Sequence, residues 1–347
     1  MPKRKKVYIF SLYGDEGPSS KYRVFQYIDS IKEYADVIIT SFWNNDYLRK
    51  YNKNRKKYAI HIMLLYIVNV VKRIIQLLFI APRYDVIIIQ KAVIPKIKID
   101  FLFNILKKNK KIIFDVDDAV FVDKRDNTDS VARKCDIVFC GSKELYCHYI
   151  KDNEHVFFLP TVDNDAPYKE LRHDTFDNKI IGWLGTSINL KNLDIVVDSV
   201  NNIIERHPEV SFHLICDIDG GYGDKFRNFK FIKWNKYTVL KEMSEFSVGI
   251  MPLEDNEINR GKCGFKLIQY MTMGKPVVGS PVGENKTIIK YGGLTATSKA
   301  EWEKALEELL MDQKKYYSYC KNIEDSFFEN YSFNSNCRII QKAIQEN

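Results

Sequence analysis

The sequence lacks several patterns that would define its class at once. Its seven cysteines are scattered, with no CxxC pair and no metal-ligand spacing, which argues against a disulfide scaffold and a zinc module. No Gly-x-Gly-x-x-Gly occurs, which argues against a dinucleotide-dependent dehydrogenase. The basic start, MPKRKKVYIFSLYG, has a short apolar run and no small-residue cleavage site, so we expect no signal peptide. These absences favour a protein of the reducing cytoplasm.

The composition is that of a globular protein of ordinary size. The chain has 347 residues, of which 45% are hydrophobic and 28% charged, and this length accommodates two α/β domains. Its formal net charge is +8. Such a charge suits anionic partners, namely nucleotide diphosphates, phospholipid headgroups or nucleic acid.

Apolar strands alternate with helical segments in both halves of the chain. The predicted strands are Val7–Leu12, Asp36–Thr40, Asp85–Gln90, Lys111–Asp115 and Ile137–Cys140, then Ile180–Leu184, Ser211–Cys216, Phe229–Ile232, Val248–Met251 and Pro276–Gly279. The predicted helices are Ser20–Tyr34, Asn192–Arg206, Val239–Glu245 and Phe265–Met273. This alternation predicts two doubly wound parallel sheets, in domains 1–165 and 176–330, with a final helix 331–347 crossing back to the first domain.

The most informative stretch is VGIMPLEDNEINRGKCGFKLIQYMTMGKPVVGSPVG, residues 248–283. A buried strand leads into a polar loop, a helix starts near Phe265, and Gly274-Lys275-Pro276 ends that helix. The helix N-terminus therefore lies at the carboxyl edge of a parallel sheet. Free N–H groups and the helix dipole make that position suitable for phosphate.

This stretch resembles the signature of retaining glycosyltransferases of the GT-B fold, family 4 in particular. The match lies in the helix and in Gly-Lys-Pro-Val-Val, residues 274–278. The resemblance implies two Rossmann-like domains facing across a cleft, a nucleotide-diphosphate sugar donor, and no cofactor or metal. The family's two acidic residues fall on Gly261 and Gln269; the amide of Gln269 still offers an oxygen to ribose. Glu254, Asp255 or Glu257 would replace the first.

The same resemblance indicates further donor-binding residues in the second half. A strand ends in the Gly185 turn, followed by Thr186 and, at the family's Lys position, Lys191. Thr186 stands where the family has an Arg, so Lys266, Arg260 or Lys262 would supply the missing cation, with Lys266 counted as catalytic. Gly264 and Phe265 lead into the signature helix. Trp234 either stacks on the nucleobase or is a core residue.

FDVDDAVF, at residues 114–121, brings Asp117 and Asp118 to the carboxyl edge of the first sheet. It resembles a segment of a family 4 subgroup. Neighbouring carboxylates raise one another's pKa, which suits a base that accepts the proton of the acceptor hydroxyl. Two alternatives stay open: a metal-binding DxD, and a carboxylate that caps the following turn. Our expectation is that no metal is bound.

The loop GDEGPSSKYR, residues 14–23, resembles the family's first Gly-rich loop, which lines the cleft near the donor phosphates. It contributes Gly17, Ser19 and Arg23 as donor-binding residues, with Arg23 reaching a phosphate or acceptor group. Alternatively, Ser19 and Ser20 cap the following helix.

A nearly continuous apolar segment, residues 58–80, is interrupted by Lys72 and Arg73, which argues against a membrane span. On a helical projection its few polar residues share one narrow stripe: His61, Asn69, Lys72, Arg73 and Gln76. Either this helix lies in an anionic membrane surface, or it is buried with the polar stripe facing solvent. The basic cluster KYNKNRKK, residues 50–57, precedes it.

These patterns predict a hexosyltransferase of class EC 2.4 that moves a sugar, with retention, from a nucleotide-diphosphate sugar to a glycan or lipid-linked acceptor. Surface polysaccharide synthesis, in the cytoplasm and at the inner face of the cell membrane, is the expected setting. The alternative is a catalytically degenerate relative that binds sugar nucleotide or glycan. A nucleic-acid-binding protein is the other class considered; no known module supports it, so we expect no nucleic-acid partner.

Overall fold

The computed structural model describes residues 4–97, 103–104, 106, 110–122 and 128–346. The chain divides into two compact units. The first comprises Met1–Thr161 together with Asn336–Asn347, and the second comprises Val162–Ser335.

The first unit is built on a six-stranded parallel sheet of order β2-β1-β3-β4-β5-β6. Its strands are β1 Lys5–Tyr13, β2 Ala35–Trp43, β3 Val86–Gln90, β4 Lys111–Val116, β5 Ile137–Cys140 and β6 Val156–Phe158. Every residue of β3 and β5 is buried, as expected where helices cover both faces of a parallel sheet. The parallel register, such as Val7 opposite Val86, brings the carboxyl ends of the strands to one edge.

The second unit repeats this architecture with the order β12-β11-β10-β7-β8-β9, again all parallel. Its strands are β7 Ile180–Leu184, β8 Ser211–Cys216, β9 Phe229–Lys233, β10 Val248–Met251, β11 Val277–Gly279 and β12 Gly293–Thr295. Two sheets of this kind confirm the predicted α/β class.

Helices connect the strands in both units. Those of the first unit are α1 Pro18–Arg23, α2 Ile28–Tyr34, α3 Ala59–Ile75, α4 Thr128–Lys134 and α5 Lys143–Tyr149. Those that follow are α6 Ala166–Leu171, α7 Val197–Arg206, α8 Val239–Ser244, α9 Glu257–Arg260, α10 Phe265–Thr272, α11 Asn285–Ile288, α12 Lys299–Met311, α13 Gln313–Asn322, α14 Phe328–Asn330 and α15 Phe333–Gln345. Most of α15 belongs to the first unit, where Asn336 donates a hydrogen bond to Tyr27 (2.9 Å).

Two predicted helices differ from the structure. The helix predicted over Ser20–Tyr34 is broken at Val24. The φ of Val24 is −132°, which is outside the helical range, and its ψ is −63°. Arg23, the last residue before the break, is buried against Asp115. The helix predicted from Asn192 begins as a 3-10 segment, Ser187–Ile195, and becomes α-helical only at Val197.

Candidate functional site

At the carboxyl edge of the first sheet, polar side chains from the ends of β3 and β4 and from α1 form one hydrogen-bonded cluster. Ser19 donates to both oxygens of Asp117 (2.9 and 3.0 Å) and accepts from the Gln90 amide (2.9 Å). Gln90 in turn accepts from the Leu12 amide N–H (3.0 Å). Since Gln90 is fully buried and its partners are fixed, this cluster holds Asp117 in one orientation.

Lys91 completes the cluster and was not foreseen from the sequence. Its Nζ lies 3.0 Å from Asp117 and also pairs with Asp118. Its backbone adopts φ +63°, a left-handed conformation that is strained for a residue other than glycine. The available signal was its position directly after the buried strand VIIIQ, where a side chain reaches the carboxyl edge.

The expectation that Asp117 has a raised pKa is wrong. Burial alone raises the pKa of Asp117, but the charges of Lys91 and Arg23 and the hydrogen bonds from Lys91 and Ser19 outweigh it. The net pKa lies below its ordinary value, so this carboxyl is a poor proton acceptor. Asp118, whose side chain is half-exposed, is the carboxylate of the pair that faces solvent.

Arg23, predicted to reach a phosphate or acceptor group, is instead directed into the first unit. Its guanidinium pairs with Asp115 through Nε (3.2 Å) and Nη2 and donates to the Leu159 carbonyl, and the side chain is 1% exposed. Burial alone would lower the pKa of Arg23, but Asp115 prevails and raises it above its ordinary value. The residue predicted to bind phosphate is therefore half of an internal ion pair.

Ser19 and Ser20 do not cap the helix that contains them. Gly17 is the N-cap residue of α1, without a side-chain cap, and a Cβ there would lie 2.4 Å from the Tyr13 Cβ. Ser20 donates to Gln90 (2.9 Å) and accepts from the Tyr13 N–H (3.0 Å). Both serines thus serve the polar cluster, and Gly17 allows the loop to fold closely over Tyr13.

The carboxylates of the DxD segment are paired with lysine and arginine side chains, whereas the metal-binding alternative requires them to bind a metal ion. In the part of the chain that the structure describes, no three His, Cys, Asp or Glu side chains are grouped as a metal site would need. Asp115 is paired with Arg23, and Asp117 and Asp118 with Lys91. Protein cations already occupy these carboxylates.

In the second unit, the strand before the Gly185 turn is held against the signature helix. The Leu184 N–H donates to the buried Tyr270 hydroxyl of α10 (2.7 Å). A Cβ on Gly185 would lie 2.3 Å from the Trp183 ring, so only glycine fits this turn. The hydrogen bond joins the end of β7 to α10, and the Trp183 ring lies against the turn that follows.

Lys266, in the first turn of α10, is the most unusual charge of this unit. Its ammonium lies 4.6 Å from the centroid of the Trp183 ring. Burial, reinforced by the charge of Lys262, lowers the pKa of Lys266 to about 7, and Cys216 and Cys263 oppose this only partly. No carboxylate of the described residues is among the groups that shift this pKa.

The start of α10 is shaped by a glycine in a left-handed conformation. Gly264 is its N-cap residue with φ +66°, it offers no side-chain cap, and a Cβ there would meet Ile288 at 2.3 Å. A helix leaves its first N–H groups without intrahelical partners. Phe265 and Lys266 are the first two residues of this helix. Gly264 therefore shapes a helix start at which backbone donors and a lysine meet.

The loop after β7 is tied to the signature loop by polar side chains. Lys262 donates to the side-chain oxygen Oδ1 of Asn189 (2.9 Å), and the side-chain Nδ2 of Asn189 donates to the Thr186 hydroxyl (3.1 Å). Lys191 is exposed. Arg260, the third substitute considered for the missing cation, is exposed and pairs with Asp255 (2.5 Å). Of the substitutes, Lys262 and Lys266 adjoin the Gly185 turn and its loop.

Two further predicted donor residues have clear environments. Gln269 is buried, and its Nε2 donates to the Tyr168 hydroxyl (3.2 Å). The side-chain oxygen of Gln269 takes no part in that bond. Trp234, directly after β9, is 49% exposed. The alternative that Trp234 is a core residue is therefore wrong, while its stacking on a base stays a prediction.

Residues 178–312 match the family described as Glycosyl transferases group 1. This match confirms the resemblance drawn from the signature helix, and it lies within the second unit. No curated protein has a significantly similar sequence.

Solved structures share the fold of the chain at low identity. TarM of S. aureus, a mutant with fondaparinux, alpha-GlcNAc-glycerol and UDP, has a TM-score of 0.57 at 17% identity, over 75% of this chain and 55% of TarM. Anabaena Alr3699/HepE with UDP and glucose has a TM-score of 0.63 at 13% sequence identity, and the match covers 99% of this chain and 100% of the HepE chain. An alpha-glucosyltransferase with UDP and a 13-mer DNA has a TM-score of 0.64 at 14% sequence identity, and the match covers 99% of this chain and 100% of the glucosyltransferase chain.

These similarities confirm the GT-B fold, with its two Rossmann-like domains. The match covers 55% of the TarM chain, so this chain spans about half of the length of TarM. At such identities the neighbours establish the architecture and leave the reaction to be argued from the site.

Proposed function

We propose that the protein transfers a hexose, with retention, from a uridine diphosphate sugar to a glycan or lipid-linked acceptor during surface polysaccharide or glycoconjugate synthesis in the cytoplasm. The family match over the second unit supports glycosyl transfer. UDP is bound in the three neighbouring structures, which supports uridine as the donor base. All seven cysteines lie in the described ranges and are free thiols, in keeping with a reducing compartment.

One observation carries the proposal. Lys266 lies at a helix start that has no side-chain cap, and the charged group that acts on it is Lys262 rather than a carboxylate of the described residues. A desolvated ammonium without a counter-charge is unfavourable until an anion arrives. A diphosphate would supply that charge and would also accept hydrogen bonds from the N–H groups of the helix start. The site is therefore built to gain stability from an anionic ligand.

The proposed chemistry uses these cations on the leaving group. As the bond between the anomeric carbon and the diphosphate oxygen breaks, negative charge develops on that oxygen, and Lys266 and Lys191 stabilise it. The acceptor oxygen forms the new bond on the same face of the sugar, and its proton passes to the leaving phosphate. Asp118, exposed beside Lys91, is the proposed acceptor-side carboxylate, with Asp117 as the residue that positions Lys91.

Thermal unfolding with nucleoside diphosphates and nucleotide sugars, in Mg²⁺ and in EDTA, tests donor binding. A ligand at a concentration of about 100 times its Kd adds ~2.7 kcal/mol to the free energy of unfolding. UDP should therefore raise the Tm, and nucleoside diphosphates with other bases should not. The shift should persist in EDTA. Absence of a shift with every nucleoside diphosphate would contradict the proposal. A shift that needs Mg²⁺ would overturn the metal-free part alone.

A second candidate is a degenerate relative that binds the sugar nucleotide without transfer. Gly261 and Gln269, which replace the family's acidic pair, favour it. The two candidates differ in turnover. Release of UDP from a UDP-sugar that binds, stimulated by a glycan acceptor, supports the transferase. Binding without release across a panel of acceptors supports the degenerate relative.

A further inference from the structure

Helix α3 presents a row of large apolar side chains to solvent. These side chains are 48–70% exposed, and we call them the apolar ridge: Ile60, Met63, Leu64, Ile67, Val68, Val71, Ile75 and, beyond the end of α3, Phe79. Their spacing of one, three or four residues places them on one helix face. Contiguous apolar exposure of this extent indicates an interaction surface in a folded protein.

The opposite face of α3 is firmly packed on the first unit. Arg73 is 1% exposed, donates to the Ser11 carbonyl (2.8 Å) and the Thr40 carbonyl (3.0 Å), and stacks on Phe10. The Tyr66 hydroxyl donates to the Pro95 carbonyl (2.6 Å). The expectation that Arg73 belongs to an outward polar stripe is therefore wrong, as is the alternative of a helix buried on its apolar side. These bonds fix which face points outward.

The chain segment that carries the ridge contains charges of one sign. Residues 47–84 contain nine Lys or Arg and no Asp or Glu. Lys56 and Lys57 are exposed before the helix, and Lys72 is exposed within it. An apolar face with exposed lysines on its own segment complements a surface whose interior is apolar and whose boundary is anionic.

We propose that α3 lies in the plane of an anionic membrane surface, with the apolar ridge among the acyl chains and Lys56, Lys57 and Lys72 at the headgroups. This inference goes beyond sugar transfer and does not depend on it. Ala59–Arg83 is long and apolar enough to cross a membrane. A span would require breaking the Arg73 and Tyr66 bonds that hold α3 to the unit.

A second copy of the chain is a poorer occupant of the ridge. A two-fold dimer brings the same patch of both subunits together. The cations that border each ridge would then face one another without acidic partners, since residues 47–84 provide none. An anionic bilayer satisfies both the apolar and the charged part of the surface.

Flotation with lipid vesicles tests the proposal. Vesicles of phosphatidylcholine with phosphatidylglycerol should carry the protein, and phosphatidylcholine alone should carry much less. Ile67→Asp, at the centre of the ridge, should lower the partition coefficient by about tenfold or more. Lys56→Gln and Lys57→Gln should each lower it about fivefold on anionic vesicles. Ile150→Asp, at an exposed isoleucine elsewhere in the same unit, is the matched control and should not change it.

The outcomes separate the occupants. Because Ile67 is 51% exposed, Ile67→Asp should keep the wild-type Tm, which shows that the fold is intact. Failure of the wild type to float with anionic vesicles would overturn the proposal. So would an equal loss with Ile150→Asp. A lipid-free dimer in sedimentation that Ile67→Asp converts to monomer, without vesicle binding, would assign the ridge to a second copy instead.

Discussion

The two units place lysines at the carboxyl edges of similar parallel sheets, but they treat the charge in opposite ways. In the first unit Lys91 lies between Asp117 and Asp118, and Arg23 is paired with Asp115. In the second unit Lys266 lies over Trp183, with Lys262 as its charged neighbour. One unit neutralises its cations internally, and the other leaves a cation for a ligand.

The pKa shifts express this difference. Burial alone lowers the pKa of Lys91, yet the two aspartates prevail and raise it above its ordinary value. Burial lowers the pKa of Lys266 to about 7, and its neighbours do not restore it. Internal pairing yields a rigid edge with little affinity left for anions, whereas an unpaired cation yields affinity at the expense of stability. The comparison supports the proposal that the diphosphate binds to the second unit.

The largest effect should come from breaking the buried ion pair of the first unit. Asp115→Asn leaves Arg23 buried without its counter-charge, so we expect a loss of roughly 3–5 kcal/mol in the free energy of unfolding of that unit. Urea unfolding measures it. UDP affinity should stay unchanged, provided that the remaining fold is intact.

Two variants control for this interpretation. The double variant Arg23→Met/Asp115→Leu removes both charges and should recover most of the lost stability. Asp36→Asn breaks an exposed pair with Arg4 and should cost only about 0–1 kcal/mol. If Asp115→Asn proved as mild as Asp36→Asn, the first unit would not depend on internal charge pairing, and the contrast between the units would fail.

Removing the ammonium of Lys266 should have the next largest effect, and on binding. Lys266→Met keeps the side-chain length but removes a charged partner of the diphosphate, so UDP Kd should rise roughly tenfold to a hundredfold, or about 1.5–3 kcal/mol. The Tm without ligand should not fall, because a desolvated charge disappears. Calorimetric titration and thermal unfolding measure the two effects.

Lys225 provides the matched control for that variant. It is a half-exposed lysine of the same unit, paired with Asp194 (2.7 Å), and Lys225→Met should leave UDP affinity unchanged. Lys91→Met in the first unit should lower stability and also spare UDP affinity. Wild-type affinity in Lys266→Met would move the diphosphate site elsewhere.

The sheets were largely predictable because parallel strands covered on both faces are continuous apolar runs. Ile137–Cys140 and Ile180–Leu184 were predicted to the residue. The strands missed, Val156–Phe158 and Gly293–Thr295, are three residues long and lie at the ends of their sheets. Such strands pair on one side only and need no long apolar run, so the pattern contains too little signal.

The site was predictable in position but not in charge pairing. Asp117 follows β4 and Lys266 opens the signature helix, and both lie at carboxyl edges as expected. Their partners, Lys91 and Trp183, come from other strands, and only the folded sheet brings them together. Sequence spacing therefore locates the edge, while tertiary contacts decide which cations are already neutralised.

The smallest predicted effect, pH dependence, separates the lysines most directly. Without ligand, Lys266 has a pKa of about 7 against an ordinary 10.5, so the unfolded chain binds more protons between these values. The contribution of Lys266 to folding stability therefore rises with pH across that window. UDP favours the protonated form, so its affinity should fall above pH 7, by at most about tenfold per pH unit.

Binding should then take up close to one proton at about pH 8, a value chosen one unit above the Lys266 pKa. Titration in two buffers of different ionisation enthalpy measures this uptake. Lys266→Met should abolish both the uptake and the pH dependence. Lys91 keeps its proton throughout this range because its pKa is raised, so Lys91→Met should leave the uptake intact. Proton uptake that survives Lys266→Met but disappears with Lys91→Met would reverse the roles of the two units.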